Sequence, residues 1–323
     1  MRRVRLSLVL LVVLLPIFAG VAGAMMGGGM LHPMRRELSA DLVERADRAF
    51  HDVHAIREDF DVRAPDGVLL RGWKVRPPQP NGDWVMLFHG VSDNRVGMHA
   101  YAAFLLRNNY SIVMMDVRAH GASEGPMATY GWLERNDTRA IVDELFATEQ
   151  VHCLFLLGES MGASIALQSA AVEPRVMGVV AESAFANLRE VSFDYAGLRM
   201  SPLLGRTLFR PASMLALRAA EKEGQFRADD ISPEKAVAER AFPVLLICGL
   251  SDHNIPARHT KRIFKAATGP KEMWLVQGAG HTGALGTAPK EFEQRVVSFF
   301  AKLHAANQKN MEQERSKRWA KAL

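Results

Sequence analysis

Ser160 stands at the centre of Gly158-Glu159-Ser160-Met161-Gly162, a GxSxG pentapeptide between the apolar run Cys153 to Leu157 and a small-residue helical stretch from Ala163 to Ala171. A serine hydroxyl is a weak nucleophile at neutral pH and becomes useful only beside a general base. The flanks predict a sharp strand-to-helix turn that presents Oγ, and Gly158 and Gly162 lack the side chains that would stop the backbone from closing. Two later motifs offer the partners: Gly249-Leu250-Ser251-Asp252 and Gly278-Ala279-Gly280-His281, each just after an apolar run. His281 is expected to remove the serine proton. Asp252 is expected to fix the imidazole tautomer and stabilise its cation. The developing oxyanion would be held by the backbone N–H of Met161 and by that of Val91, in Phe88-His89-Gly90-Val91. This chemistry is acyl transfer through an acyl-serine.

Other titratable residues compete for these roles. His89 follows a strand directly, and with Gly90 it suits shaping the oxyanion loop better than acting as the base. His120 lies in Asp116-Val117-Arg118-Ala119-His120-Gly121-Ala122-Ser123, where bonding to loop backbone is the commoner use. Asp116 precedes the serine in the chain, which disfavours it as the acid. Glu182, after the strand that follows the elbow helix, is the alternative acid. His253, Asp252 and His281 raise a metal reading, but no His-x-x-x-His or carboxylate cluster accompanies them, so no metal is expected. The chemistry needs no cofactor.

These residues need a scaffold. Val85–Phe88, Ile112–Met115, Leu154–Leu157, Val176–Ala181, Val244–Ile247 and Met273–Val276 are compact apolar runs without a polar face, as in strands buried on both sides. Helical stretches alternate with them, at Met98–Arg107, Glu134–Glu149, Ser160–Val172, Ala257–Ala267 and Lys290–His304. That alternation specifies a mostly parallel sheet flanked by helices. Phe60–Ala64 and Leu69–Val75, around Asp66-Gly67, read as an opening hairpin. No strand candidate occurs between Ala184 and Ala241, so about 185–241 reads as an inserted helical cap. Cys153 and Cys248 fall on strands with another between them, too far apart to bridge, and are expected as free thiols.

The chain order Ser, Asp, His is that of α/β-hydrolases. Together the motifs resemble the α/β-hydrolase superfamily from about Phe60 to Leu303, and most closely its serine aminopeptidase-like branch of hydrolases. Asp-x-Arg-x-His-Gly-x-Ser and the passage Asp230-Ile231-Ser232-Pro233 through Phe242-Pro243-Val244-Leu245 carry the branch resemblance. Ala119 departs from it, standing where the pattern has glycine in a structural loop. The resemblance implies an α/β-hydrolase fold with an inserted helical cap, and a serine hydrolase. Carboxylic ester cleavage is the reading preferred here. Peptidase or thioesterase chemistry on the same fold, or a catalytically idle scaffold that binds, are its alternatives.

The chain has 323 residues, 48% of them hydrophobic, and a formal net charge of +5. The size supports one large domain at 59–305, preceded by a connector at 35–58 and followed by a charged helical tail at 306–323. The basic residues are scattered, which argues against a nucleic-acid partner. Residues 1–34 read as a membrane anchor or signal, with three arginines before an uncharged stretch from Leu6 to Leu31. The expectation is one N-terminal transmembrane helix that acts as a signal anchor, with the hydrolase domain exported. A cleaved, secreted form is the alternative, through Ala22-Gly23-Ala24. The expected ligand is a small-molecule ester or acyl compound, lipid-like esters included.

Overall fold

The computed structural model describes residues 29–196 and 202–322. The expected N-terminal anchor or signal, residues 1–34, lies outside the described residues except for its end from Gly29 onward. Among the described residues no helix is long and apolar enough to cross a membrane.

The strands are β1 (Ile56–Arg63), β2 (Leu69–Arg76), β3 (Trp84–Phe88), β4 (Ser111–Met115), β5 (Leu154–Glu159), β6 (Val176–Glu182), β7 (Val244–Gly249) and β8 (Lys271–Val276). They form one eight-stranded sheet in the order β1-β2-β4-β3-β5-β6-β7-β8. β2 runs antiparallel to both β1 and β4, and from β4 to β8 every pairing is parallel. The fold is therefore the mostly parallel, helix-covered sheet expected from the apolar runs.

Both faces of the central strands are buried, and successive residues serve different cores. Met86 and Phe88 pack with Ile165 of α4 (Met161–Val172) and Leu145 of α3 (Glu134–Thr148), whereas Val85 and Leu87 pack with Phe104 of α2 (His99–Arg107). On that second face lie also α1 (Ala40–His51) and α11 (Pro289–Ala322), the latter through Phe292, Val296 and Phe300. Phe300 stacks on Phe155 with ring centroids 4.4 Å apart. The body helix expected at Lys290–His304 and the charged helical tail expected at 306–323 belong to one helix, since α11 runs 34 residues without interruption. Its core contacts end near Leu303, and Gln308 to Lys317 are exposed.

Between β6 and β7 the described residues form no strand, and the α-helices there are α5 (Leu188–Ala196), α6 (Pro202–Arg206), α7 (Arg210–Gly224) and α8 (Pro233–Glu239). Phe185, Leu188, Val191, Leu217, Phe226 and Ile231 form a third apolar cluster there. Leu31 belongs to it and is fully buried. The sequence had assigned this leucine to the anchor, but it is part of the fold. The remaining helices are α9 (Arg258–Ala266) and the short α10 (Ala284–Thr287).

Asp194 on α5 joins the cap to the body. Its Oδ2 accepts from His259 Nε2 on α9 at 2.7 Å, and its Oδ1 accepts from Arg206 Nε at 2.8 Å. His259 Nδ1 accepts the Ala186 N–H at 3.1 Å, so the ring is neutral with its proton on Nε2. Burial opposes the Asp194 charge, but the bonds from His259 and Arg206 prevail and hold its pKa below the ordinary value.

Candidate active site

Ser160 lies where β5 passes into α4. Its backbone is at φ +52°, ψ −116°, a strained conformation outside both helix and strand regions. Close packing enforces it. A Cβ on Gly162 would stand 2.2 Å from the Phe88 carbonyl oxygen, and one on Gly158 would meet the Gly162 carbonyl at 2.5 Å. The Ser160 N–H donates to the Glu182 carbonyl at 2.8 Å, tying the turn to β6. Met161 opens α4, so its N–H has no acceptor within the helix and lies at the positive end of the helix dipole.

His281, in the loop after β8, places Nε2 2.9 Å from Ser160 Oγ and Nδ1 2.9 Å from Asp252 Oδ2. With the ring neutral, Nδ1–H donates to the carboxylate and Nε2 accepts from the hydroxyl. The other Asp252 oxygen accepts backbone N–H groups of Asn254 and Ile255, each at 2.9 Å. Burial works against the Asp252 charge, yet the His281 bond and these N–H donors win, and its carboxyl stays below the usual range. The three side chains come from loops after β5, β7 and β8, so the carboxyl ends of the parallel strands assemble them. Ser160 and Asp252 are buried, whereas the imidazole keeps 20% of its side-chain surface open to solvent.

Glu182, the alternative acid, faces elsewhere. Its Oε1 accepts the Ala284 N–H at 2.8 Å and its Oε2 accepts the Tyr101 hydroxyl at 2.8 Å. Tyr101 also reaches Glu159 Oε2 at 3.1 Å. Burial, then the Glu182 charge, pushes Glu159 up to about 8, so it holds a proton at neutral pH. Glu159 also accepts from the Gly90 backbone. A carboxyl pair bridged by one phenol thus sits beneath the site, touching the oxyanion loop on one side and the His281 loop on the other.

The remaining candidates build loops. His89 is fully buried, with Nε2 accepting the Val117 N–H at 3.0 Å and Nδ1 donating to the Gly90 carbonyl at 2.8 Å. Burial lowers its pKa, so it stays neutral. His120 packs edge-on against it, bonds Arg118 O at 2.9 Å, and is lowered by burial to about 4. Asp116 accepts Arg95 N–H and Arg95 Nη2 at 2.7 and 2.8 Å, and the Ala122 N–H at 2.7 Å. His253 is exposed and no bond joins it to the Ser160 group among the described residues.

A pocket of about 250 Å³ opens at Ser160. Val91 and Met161, the expected oxyanion donors, line it beside the nucleophile, and Phe185, Leu188 and Val191 give it an apolar wall. Tyr195 of α5 lines it as well and hydrogen-bonds Ser160. Gly29 and Met30 belong to the lining too. Tyr195, Glu159, Tyr101, Gly29 and Met30 are not among the site residues expected from the sequence. Glu159 could have been suspected from its place inside the pentapeptide. Tyr101 and Met30 carry no motif and are brought there only by tertiary packing.

The geometry can be set beside known proteins. Residues 79–219 match the family described as serine aminopeptidase, S33. The uncharacterized protein YqkD of Bacillus subtilis is 26% identical over 259 residues, spanning 77% of this chain and 82% of that protein. Among solved structures, the esterase Pf2001 of Pyrococcus furiosus superposes with a TM-score of 0.67 at 22% identity, covering 85% of this chain and all (100%) of that one. The acylaminoacyl peptidase of Pyrococcus horikoshii shares the fold with a TM-score of 0.58 at 15% identity, covering 75% of this chain and 40% of that one.

Proposed function

The chain belongs to the α/β-hydrolase superfamily, in its serine aminopeptidase-like branch, and from that premise we propose that it is a serine hydrolase cleaving a carboxylic ester. That it is a hydrolase follows from the family. The finer reading rests on one observation, the continuous line Ser160 Oγ, His281 Nε2, His281 Nδ1 and Asp252 Oδ2 with both links at 2.9 Å.

In the proposed reaction Ser160 Oγ attacks the ester carbonyl carbon as its proton passes to His281 Nε2. Asp252, held ionised, stabilises the imidazolium. The carbonyl electron pair becomes an oxyanion facing the N–H groups of Met161 and Val91, each such donor being worth roughly 10²- to 10³-fold in rate. Collapse of the intermediate breaks the bond to the alcohol, which takes the proton from Nε2. Water, deprotonated by the same nitrogen, then attacks the acyl-serine and releases the carboxylic acid with Ser160 restored.

Ester is preferred over aminopeptidase chemistry for a reason visible in the pocket. A free α-ammonium taken out of water needs a carboxylate partner, and among the described residues the pocket lining contains no Asp or Glu. The phenol of Tyr195 is a third polar group at the nucleophile, placed to meet the leaving oxygen or the oxyanion. Export and attachment through the N-terminal segment remain part of the proposal, with secretion after cleavage as its alternative.

Labelling by a fluorophosphonate probe tests the mechanism. Wild type should label and Ser160→Ala should not, and labelling that survives the substitution would remove Ser160 as the nucleophile. p-Nitrophenyl esters set against aminoacyl p-nitroanilides test the bond. Turnover of the anilides above the esters would replace the esterase reading by a peptidase one.

A further inference from the structure

Asp83 and Cys153 stand immediately before β3 and β5, which run parallel with Trp84 opposite Leu154. The two residues are therefore side by side at the amino ends of neighbouring strands, about 4.8 Å apart. The Trp84 N–H holds them in step by donating to the Cys153 carbonyl at 2.9 Å. His304 reaches them from α11. Its Nδ1 lies 2.9 Å from Asp83 Oδ2, 3.0 Å from Asp83 Oδ1 and 3.9 Å from Cys153 Sγ. One carboxylate oxygen, one sulfur and one imidazole nitrogen thus converge within 4.8 Å of one another, and among the described residues no other group of three such donors does so.

These separations are close to what a tetrahedral ion demands. With zinc bonds of about 2.3 Å to sulfur and about 2.0–2.1 Å to nitrogen and oxygen, neighbouring ligand atoms stand about 3.3–3.6 Å apart. The observed 2.9 and 3.9 Å bracket that range. The donors match in kind as well, since thiolate and imidazole are the ligands zinc favours and a carboxylate completes the set.

The surroundings point the same way. A metal-bound imidazole gives its other N–H to a fixed partner, and the Gln308 side-chain amide lies 2.7 Å from His304 Nε2. Asn307 Nδ2 donates to Cys153 Sγ at 3.5 Å. Asp83 and Cys153 are buried, whereas His304 keeps 24% of its side-chain surface open, which leaves an entry path and room for a water ligand. An Asp–His pair alone accounts for Asp83 and His304 but not for the sulfur beside them, whose thiol burial and then the Asp83 charge push up to about 12.

We propose that Asp83, Cys153 and His304 form a zinc site, with water in the fourth position, that fastens α11 to the amino ends of β3 and β5. On binding, zinc replaces the thiol proton, which leaves to solvent, and the imidazole keeps its proton on Nε2. The ion takes no part in acyl transfer. Cys153 and Ser160 flank β5 at its opposite ends, and seven residue steps of about 3.3 Å separate them by roughly 20 Å. The site therefore stands whether or not the esterase reading does.

The full chain in detergent, stripped with a chelator and returned to buffer, is titrated with cobalt(II) as a spectroscopic substitute and then with zinc. Wild type should bind one cobalt per chain with a thiolate-to-cobalt charge-transfer band, and one equivalent of zinc should abolish that band. Cys153→Ala should lose the band, and His304→Gln should weaken cobalt binding at least about tenfold, since even the outer partners of a metal site are worth that much. Zinc should raise the thermal midpoint of wild type and leave that of Cys153→Ala unchanged. No charge-transfer band in wild type, which needs no variant to read, overturns the site. So does cobalt binding of equal strength in His304→Gln, or a zinc-dependent rise in midpoint that persists in Cys153→Ala. Fluorophosphonate labelling of Ser160 should be the same with and without the ion, and its loss on stripping would overturn the purely structural assignment.

Discussion

Glu159 and Glu182 share one phenol, and a single hydroxyl proton cannot satisfy two carboxylates. With Glu159 protonated the cluster is satisfied, since Glu159 can donate to the Tyr101 oxygen while Tyr101 donates to Glu182. The sign of the pH effect follows. Glu159 has its pKa raised from the ordinary 4.5 to about 8 in the folded chain, so the folded state retains a proton that the unfolded state gives up. This stabilising contribution is complete below about 4.5 and is lost as pH rises through about 8. Glu159→Gln keeps the shape of the protonated form, so its thermal midpoint should fall less between pH 6 and 9 than wild type; equal slopes would place the proton elsewhere. The acid role is separable by the same logic. Asp252→Asn should lower kcat by about 10⁴ through the wrong imidazole tautomer. Glu182→Gln should lower thermal stability, since its carboxyl holds the Ala284 N–H, while leaving kcat within about tenfold. A collapse of turnover in Glu182→Gln with Asp252→Asn active would reverse the assignment.

The elements that carry these residues differ in how plainly the sequence announces them. The parallel strands are legible because burial on both faces leaves unbroken apolar runs, and the elbow because Gly158 and Gly162 have no alternative at contacts of 2.5 Å and less. The cap is legible only as a strand-free interval; its attachment is not, since nothing local relates Asp194 to His259 across 65 positions. Removing the carboxylate leaves His259 and Arg206 without their shared acceptor. Asp194→Ala should therefore cost about 3–5 kcal/mol in chemical denaturation and raise KM for long-chain esters more than it lowers kcat. Met30 and Leu31 read as part of the expected anchor because they extend the hydrophobicity of the segment before them, and composition alone does not separate such residues from those of a core. Leu31→Ala should destabilise by about 2–5 kcal/mol, the cost of a cavity at a fully buried site. A loss below about 0.5 kcal/mol, typical of surface changes, would mean that Leu31 is not seated.

At the scale of the whole molecule, one domain is covered by helices on both faces and closed at the active-site end by the cap and by Gly29 and Met30. The opposite end is held by α11, where His304 Nδ1 pairs with Asp83 at 2.9 Å and Phe300 stacks on Phe155. Beyond His304 the helix makes few buried contacts, so ending the chain after Gln308 should leave the thermal midpoint and ester turnover unchanged, and a marked fall in either would give the terminal helix a folding role. Oligomeric chemistry through sulfur is closed off by the same architecture. Cys153 and Cys248 are at most 2% exposed, and burial pushes their thiols up to about 12 and about 11. Alkylation needs the thiolate, so the native chain should resist iodoacetamide, and both sulfurs become reactive only when the sheet itself comes apart. The molecule thus carries its own stopwatch: the rate of carbamidomethylation measures how often the central strands open, with no label added and no reductant required.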